Sequence, residues 1–297
     1  MTETSATSPL PAAPAAPAVV GVLGGGRMGA GIAHAFLLAG SRVHVGERDA
    51  GAAAGATARI HESIARSVAR AATTRTAHEL EAALSVGTDI ADFADARLVI
   101  EAVPEERTLK EQALARLEQV VPAASVLASN TSSISIDSLA GILAHPERLL
   151  GLHFFNPVPA SALVEIVVGS ATAPDLVEEA RGWVGALGKT GIVVRDSPGF
   201  ASSRLGVTLG LEAIRMLEEG VASAADIDAA MELGYRHPMG PLRTTDVVGL
   251  DVRLGIAEEL EAALGPRFAP PALLRRLVAD GHLGRKSGRG FYEWSDS

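Results

Sequence analysis

The chain has 297 residues, 47% of them hydrophobic and 21% charged, with a formal net charge of −9 and no cysteine. That balance supports a packed core, and an acidic surface repels phosphate backbones, which excludes nucleic acid as the expected partner. Disulfides, thiolate zinc sites and cysteine nucleophiles are excluded outright, no metal site is expected, and no apolar run reaches the ~20 residues of a membrane helix, so the cytoplasm is the expected location.

Residues 1–17, MTETSATSPLPAAPAAP, lack the positive and apolar regions of a signal peptide and read as a disordered Pro/Ala-rich arm. Residues 19–23 form a short apolar run ending at a glycine cluster, which predicts a buried strand. A helix over 28–39 stops at Gly40, and a second strand covers 42–45, completing a βαβ unit. The Ala-rich stretch 51–84 predicts one or two long helices. Strands at 98–100 and 126–128 flank a helix over 109–120, and further strands follow at 149–152, 163–168 and 192–194. This alternation predicts an α/β Rossmann-like domain over 18–196, with a mostly parallel, doubly wound sheet. After Ser197-Pro198-Gly199 only helical patterns remain: 205–219, 224–233 with Ser223 as its cap, around 245–264, and 271–280. They predict an all-α C-terminal domain over 197–297.

Gly24-Gly25-Gly26-Arg27-Met28-Gly29 fits G-x-G-x-x-G between the first strand and the first helix. In that context Gly24 permits the tight turn, Gly26 lets backbone approach a pyrophosphate, and Gly29 lets helix and strand pack closely. The helix N-terminus offers amides and a positive dipole end to phosphate. Glu47 follows Gly26 by 21 residues, the place of an acid that binds the adenosine ribose, and a carboxylate there favours NAD over NADP. The bland readings are a glycine-rich turn and a surface acid.

His153 follows the strand predicted at 149–152, and Glu165 interrupts the apolar run 163–168. A carboxylate in a buried strand is costly unless paired, and a histidine is a natural partner. The Glu would hold one ring nitrogen while the other faces substrate, which suits removal of a hydroxyl proton during hydride transfer. The bland reading is a structural histidine beside an unrelated acid.

With GVLGGGRMGAGIAHAF, LASNTSS, GLHFFNPVP, LVEIV, DSPGF, EEGVAS, LGYRHPMGP, DVVGLD and GRKSGRGFYEW in place, the chain resembles the 3-hydroxyacyl-CoA dehydrogenase family, in its 3-hydroxybutyryl-CoA dehydrogenase branch. The resemblance implies a homodimer, with the active site between a Rossmann-like domain and a helical one. It implies that His153 is the catalytic base and Glu165 its partner. Ser129 would contact substrate and cofactor, and Asn156, Glu105, Lys110 and Lys286 would lie along the cofactor. Ser63 and Arg70 would grip CoA, Arg70 standing where the family often has lysine. Ser203 stands where the family usually has an asparagine that positions substrate, and Ser161-Ala162 replaces a frequent Met-Lys pair. The expected reaction is reversible oxidation of a short (S)-3-hydroxyacyl-CoA. Two alternatives stay open: the same chemistry on a hydroxyacyl group carried by an acyl carrier protein, and a non-catalytic NAD(H)-binding protein.

Overall fold

The computed structural model describes residues 15–294. The chain divides into two compact units at Asp196 and Ser197. Most of the stretch read as an arm lies outside the described residues. Its last residue does not: Pro17 is buried, and its carbonyl accepts the Ser41 hydroxyl at 2.7 Å, so ordered chain begins before residue 18.

The first unit runs β1 (Val19–Leu23), α1 (Arg27–Leu38), β2 (Arg42–Gly46), α2 (Ala50–Ala69), α3 (Ala77–Ala82), β3 (Leu84–Gly87), β4 (Leu98–Glu101), α4 (Arg107–Glu118), β5 (Val126–Ser129), α5 (Ile136–Ala140), β6 (Leu149–Phe154), β7 (Leu163–Val168), α6 (Pro174–Ala186) and β8 (Thr190–Arg195). One sheet holds all eight strands in the order β3-β2-β1-β4-β5-β6-β7-β8. Every pair is parallel except β6–β7. The parallel strands read as continuous apolar runs because helices cover both faces. Val20, Val22 and Ile100 are fully buried and join Ile32 and Phe36 of α1 and Ile60 and Ile64 of α2 in one core. The order reverses between β1 and β4, the switch point outside which α/β sheets bind ligands.

Two expectations need correction here. The stretch 51–84 is not helical to its end: α2 and α3 are followed by β3, an edge strand parallel to β2. Four residues are too short to show a period of two. Thr76 and Glu79 form a capping box at the start of α3, a start signal visible in the sequence. The strand predicted at 149–152 extends to Phe154, so His153 lies within β6 rather than after it.

The second unit holds α7 (Ser202–Glu218), α8 (Ala224–Tyr235), α9 (Pro241–Val248), α10 (Leu250–Leu264) and α11 (Ala272–Ala279). Ser223 caps α8 by accepting the Asp226 amide. The single helix expected around 245–264 is two, because Gly249 takes φ +109°, outside the helical range. Two buried aspartates set the rest. Asp228 accepts the Leu242 and Arg243 amides at the start of α9 and the Tyr292 hydroxyl at 2.7 Å. Asp246 accepts the amides of Phe291 and Tyr292 and the Trp294 indole, fastening the C-terminal tail to α9.

Candidate active site

The glycine turn joins β1 to α1. Gly24 takes φ +97°, where a side chain is strained, and a Cβ at Gly29 would lie 1.8 Å from the Gly24 carbonyl oxygen. Gly29 therefore lets the helix sit on the turn itself, with Val22 of β1 as the next neighbour at 3.2 Å. A Cβ at Gly26 would meet nothing within 4 Å. Gly26 is also the N-cap of α1, and no side chain caps that end. Arg27 is exposed and Met28 half-buried. The helix amides and dipole there suit a pyrophosphate.

Glu47, just past β2, accepts the Gly25 amide at 2.8 Å through Oε1. Arg59 of α2, which the sequence reading missed, donates Nε and Nη2 to the Gly25 carbonyl at 3.2 and 3.0 Å. The turn is thus held from both sides, with a carboxylate beside it. An open glycine face, an uncapped helix end and an acid at the end of β2 fit a dinucleotide without a 2′-phosphate.

Four ionisable or hydroxyl residues meet at the ends of β4 and β5. Glu101 is fully buried and closes β4. Its Oε1 accepts Lys110 Nζ at 2.8 Å and the Val103 amide at 2.7 Å, and its Oε2 accepts the Ser129 hydroxyl at 2.6 Å. Lys110 is 1% exposed and also reaches Glu105 at 3.2 Å. Glu105 Oε1 accepts the Thr131 hydroxyl at 2.6 Å and the Ser132 and Ser133 amides at 2.8 and 3.1 Å. Burial pushes the Glu105 carboxyl up, but the Lys110 ammonium and the bonds from Thr131 and Ser132 outweigh it and hold it below the usual carboxylate range. Glu101, which the sequence reading did not name, therefore joins Ser129 to Lys110, and Lys110 in turn joins Glu105. Its signal was an acid ending the apolar run Leu98-Val99-Ile100-Glu101, the pattern used for Glu165.

The antiparallel β6–β7 ladder sets His153 directly opposite Glu165. His153 Nδ1 lies 2.7 Å from Glu165 Oε2, with Glu165 fully buried and His153 at 5% exposure. An ionised carboxylate only accepts, so in the neutral ring Nδ1 carries the proton and Nε2 is the basic nitrogen. The Phe155 ring is tilted against the imidazole at a centroid distance of 4.5 Å. Asn130, also unnamed by the sequence reading, accepts the Phe154 amide at 2.9 Å and ties the end of β5 to β6. Asn156 follows β6 and is exposed.

Ser63 lies on α2, and Arg70, seven residues on, is the residue that caps its C-terminal end. The Ser63 hydroxyl donates to the Arg59 carbonyl at 2.9 Å and accepts from Arg66 at 3.3 Å, while Arg70 is exposed. In the second unit, Ser203 is half-buried in the first turn of α7. Lys286 is exposed and pairs with Asp251 of α10 at 2.6 Å.

Known proteins resemble this chain along nearly its whole length. Residues 19–197 match the NAD binding domain of 3-hydroxyacyl-CoA dehydrogenase, and residues 199–294 match the C-terminal domain of the same family. A 3-hydroxybutyryl-CoA dehydrogenase of Mycobacterium tuberculosis is 44% identical over 281 residues, covering 93% of this chain and 98% of that one. A probable 3-hydroxybutyryl-CoA dehydrogenase of Bacillus subtilis is 38% identical over 279 residues, covering 93% of this chain and 96% of that one. The crystal structure of (S)-3-hydroxybutyryl-CoA dehydrogenase from Ralstonia eutropha matches with a TM-score of 0.90 at 37% identity, over 95% of this chain and 100% of that one.

Proposed function

Because the chain belongs to the 3-hydroxyacyl-CoA dehydrogenase family, we propose that it reversibly oxidises the hydroxyl of a short (S)-3-hydroxyacyl-CoA, of 3-hydroxybutyryl-CoA type, to the 3-ketoacyl-CoA. The observation that carries the reading is the buried His153–Glu165 pair at 2.7 Å. A nicotinamide cofactor held at the glycine turn would supply the acceptor for the hydride leaving C3 of the substrate. His153 Nε2 receives the hydroxyl proton as the carbonyl forms, and Glu165 holds the ring and stabilises the imidazolium that results. In the reverse direction the imidazolium returns that proton to the oxygen.

Ser129 has a narrower role than its chemistry alone allows. Its proton is donated to Glu101, so it does not donate to the substrate oxygen. That leaves His153 as the group that takes the alcohol proton and, in the reverse direction, donates to the carbonyl oxygen. The glycine turn would hold the cofactor phosphates and Glu47 its ribose, which disfavours a 2′-phosphate. Asn156, Glu105, Lys110 and Lys286 line the cofactor, Glu105 and Lys110 through the Glu101 network. Ser63 and Arg70 take the CoA. The enzyme works in the cytoplasm as a homodimer, a reading supported by large apolar side chains left exposed on the helical unit, among them Leu205, Val221, Leu233 and Tyr235.

The test follows NADH oxidation with acetoacetyl-CoA. Wild-type protein is expected to turn over with NADH and far more slowly with NADPH, and His153→Ala to lose about 10²–10⁴-fold in kcat. Equal rates in wild type and variant would remove His153 from the chemistry. Tight NADH binding with no turnover of any hydroxyacyl or ketoacyl thioester would leave a cofactor-binding protein.

A further inference from the structure

The amides of the glycine run are not equivalent. Gly24 donates to the Gly46 carbonyl at 2.8 Å, and Gly25 donates to Glu47 Oε1 at 2.8 Å. No group among the described residues accepts the Gly26 amide, and Gly26 is exposed. In a planar trans peptide the carbonyl oxygen and the amide hydrogen that follows it point in opposite directions. The Gly26 amide therefore faces away from whatever holds the Gly25 carbonyl. That partner is Arg59, through Nε and Nη2 at 3.2 and 3.0 Å.

The helix α2 brings this arginine to the turn. A Cβ at Gly25 would lie 2.5 Å from the Ala56 Cβ, so α2 rests on the turn where Gly25 has no side chain and Ala56 only a methyl group. Helical side chains lean towards the N-terminus of their helix, and the Arg59 guanidinium runs back over Gly55, where a Cβ would lie 3.4 Å from Nη1. The neighbouring arginines are neutralised, Arg48 by Asp49 at 3.0 Å and Arg66 by Glu62 at 2.9 Å. Arg59 has no carboxylate partner among the described residues and commits two of its five donors to one backbone oxygen.

Resting on the proposed reading of the glycine turn as the seat of the cofactor's pyrophosphate, we infer that Arg59 is a positioning residue for that anion. It fixes the Gly25–Gly26 peptide with the Gly26 amide turned outward, on the side where a Cβ at Gly26 would meet nothing within 4 Å. Glu47 and Arg59 hold the two polar groups of Gly25 and divide the cofactor between them: Glu47 serves the ribose, Arg59 the phosphates. The affinity that Arg59 confers is confined to ligands that carry the diphosphate.

The experiment titrates NADH by its fluorescence and measures ADP-ribose and adenosine as competitors, in wild-type protein, Arg59→Lys and Arg59→Met. Arg59 is exposed, so neither substitution disturbs the core. Arg59→Met should weaken NADH and ADP-ribose about tenfold and leave adenosine unchanged, because the bond lost is charge-assisted and acts at the phosphates alone. Arg59→Lys, which keeps the charge but not the fork, should fall between. In turnover of acetoacetyl-CoA, Arg59→Met should show its loss in KM for NADH rather than in kcat. Unchanged NADH affinity in Arg59→Met overturns the inference. Equal weakening of adenosine and ADP-ribose also overturns it, because the arginine would then brace the whole turn, Glu47 included. Wild-type affinity in Arg59→Lys would assign the effect to charge alone and overturn the positioning role. Wild-type protein that binds no NADH would instead remove the dinucleotide reading beneath it.

Discussion

Glu165 is tolerated in an apolar strand because the ladder gives it a histidine directly opposite, and the same rule governs the acid that the sequence reading passed over. Glu101 is fully buried, and it is matched by Lys110, the Val103 amide and the Ser129 hydroxyl. Glu165 stood out because apolar residues flank it on both sides. Glu101 ends its run, where an acid looks like any exposed strand terminus. Removing one partner of the Glu101–Lys110 pair strands the other without water, so Lys110→Met should lower stability by about 3–5 kcal/mol. The double variant Glu101→Gln/Lys110→Met should recover much of that loss in denaturant titrations. Additive losses would show that the two residues do not depend on each other. At Ser203 the prediction is a gain: Ser203→Asn should raise kcat/KM for 3-hydroxybutyryl-CoA about tenfold, because an amide reaches further and offers both donor and acceptor. A lowered value would mean that serine is matched to this enzyme's own substrate.

At the scale of elements, Glu105 organises the turn after β5. It collects a hydroxyl and two amides from Thr131, Ser132 and Ser133, and it is held below the ordinary glutamate value of about 4.3. A depressed carboxyl stabilises the fold fully above its unfolded value, and that contribution is lost as pH falls through the lower folded value. Wild type should therefore be more stable than Glu105→Gln at pH 7, with the gap closing as the pH is taken down towards 3. A gap that stays constant over that range would assign the difference to packing rather than charge. The βαβ unit was legible because a strand, a glycine cluster, a helix and an acid at about the expected 20 residues fall in order. The strand β3 was not, because Leu84-Ser85-Val86-Gly87 is short and follows a helical run without a break. Nor was the antiparallel turn of β7: an apolar run reads the same in either direction, and only the ladder brings residue 165 opposite residue 153. The break at Gly249 was marked by a glycine in an otherwise helical pattern, the usual cost of which is tolerable enough to leave the helix unbroken on paper.

The whole molecule divides where the sequence changes texture, at Ser197-Pro198-Gly199, between an eight-stranded unit and a helical one. Buried aspartates give the C-terminal motifs a structural purpose that their resemblance to cofactor-binding segments did not reveal: Asp246 fastens the tail that carries Lys286. Removing residues 1–14 should leave activity and thermal stability unchanged. Removing residues 1–17 should lower stability by about 1 kcal/mol or more, because it deletes the Pro17 carbonyl that satisfies the buried Ser41 hydroxyl. Equal stability of the two truncations would contradict that role. In solution the protein should run at twice its chain mass of 30.5 kDa. The central claim concerns the pair that turns a strand ladder into a base, and one substitution tests it directly. Glu165→Gln keeps the shape and removes the charge. Measured beside NADH binding by fluorescence, it should lower kcat for (S)-3-hydroxybutyryl-CoA oxidation at least a hundredfold while cofactor affinity holds. Wild-type kcat in Glu165→Gln would contradict the account, because His153 would then work without the carboxylate placed opposite it.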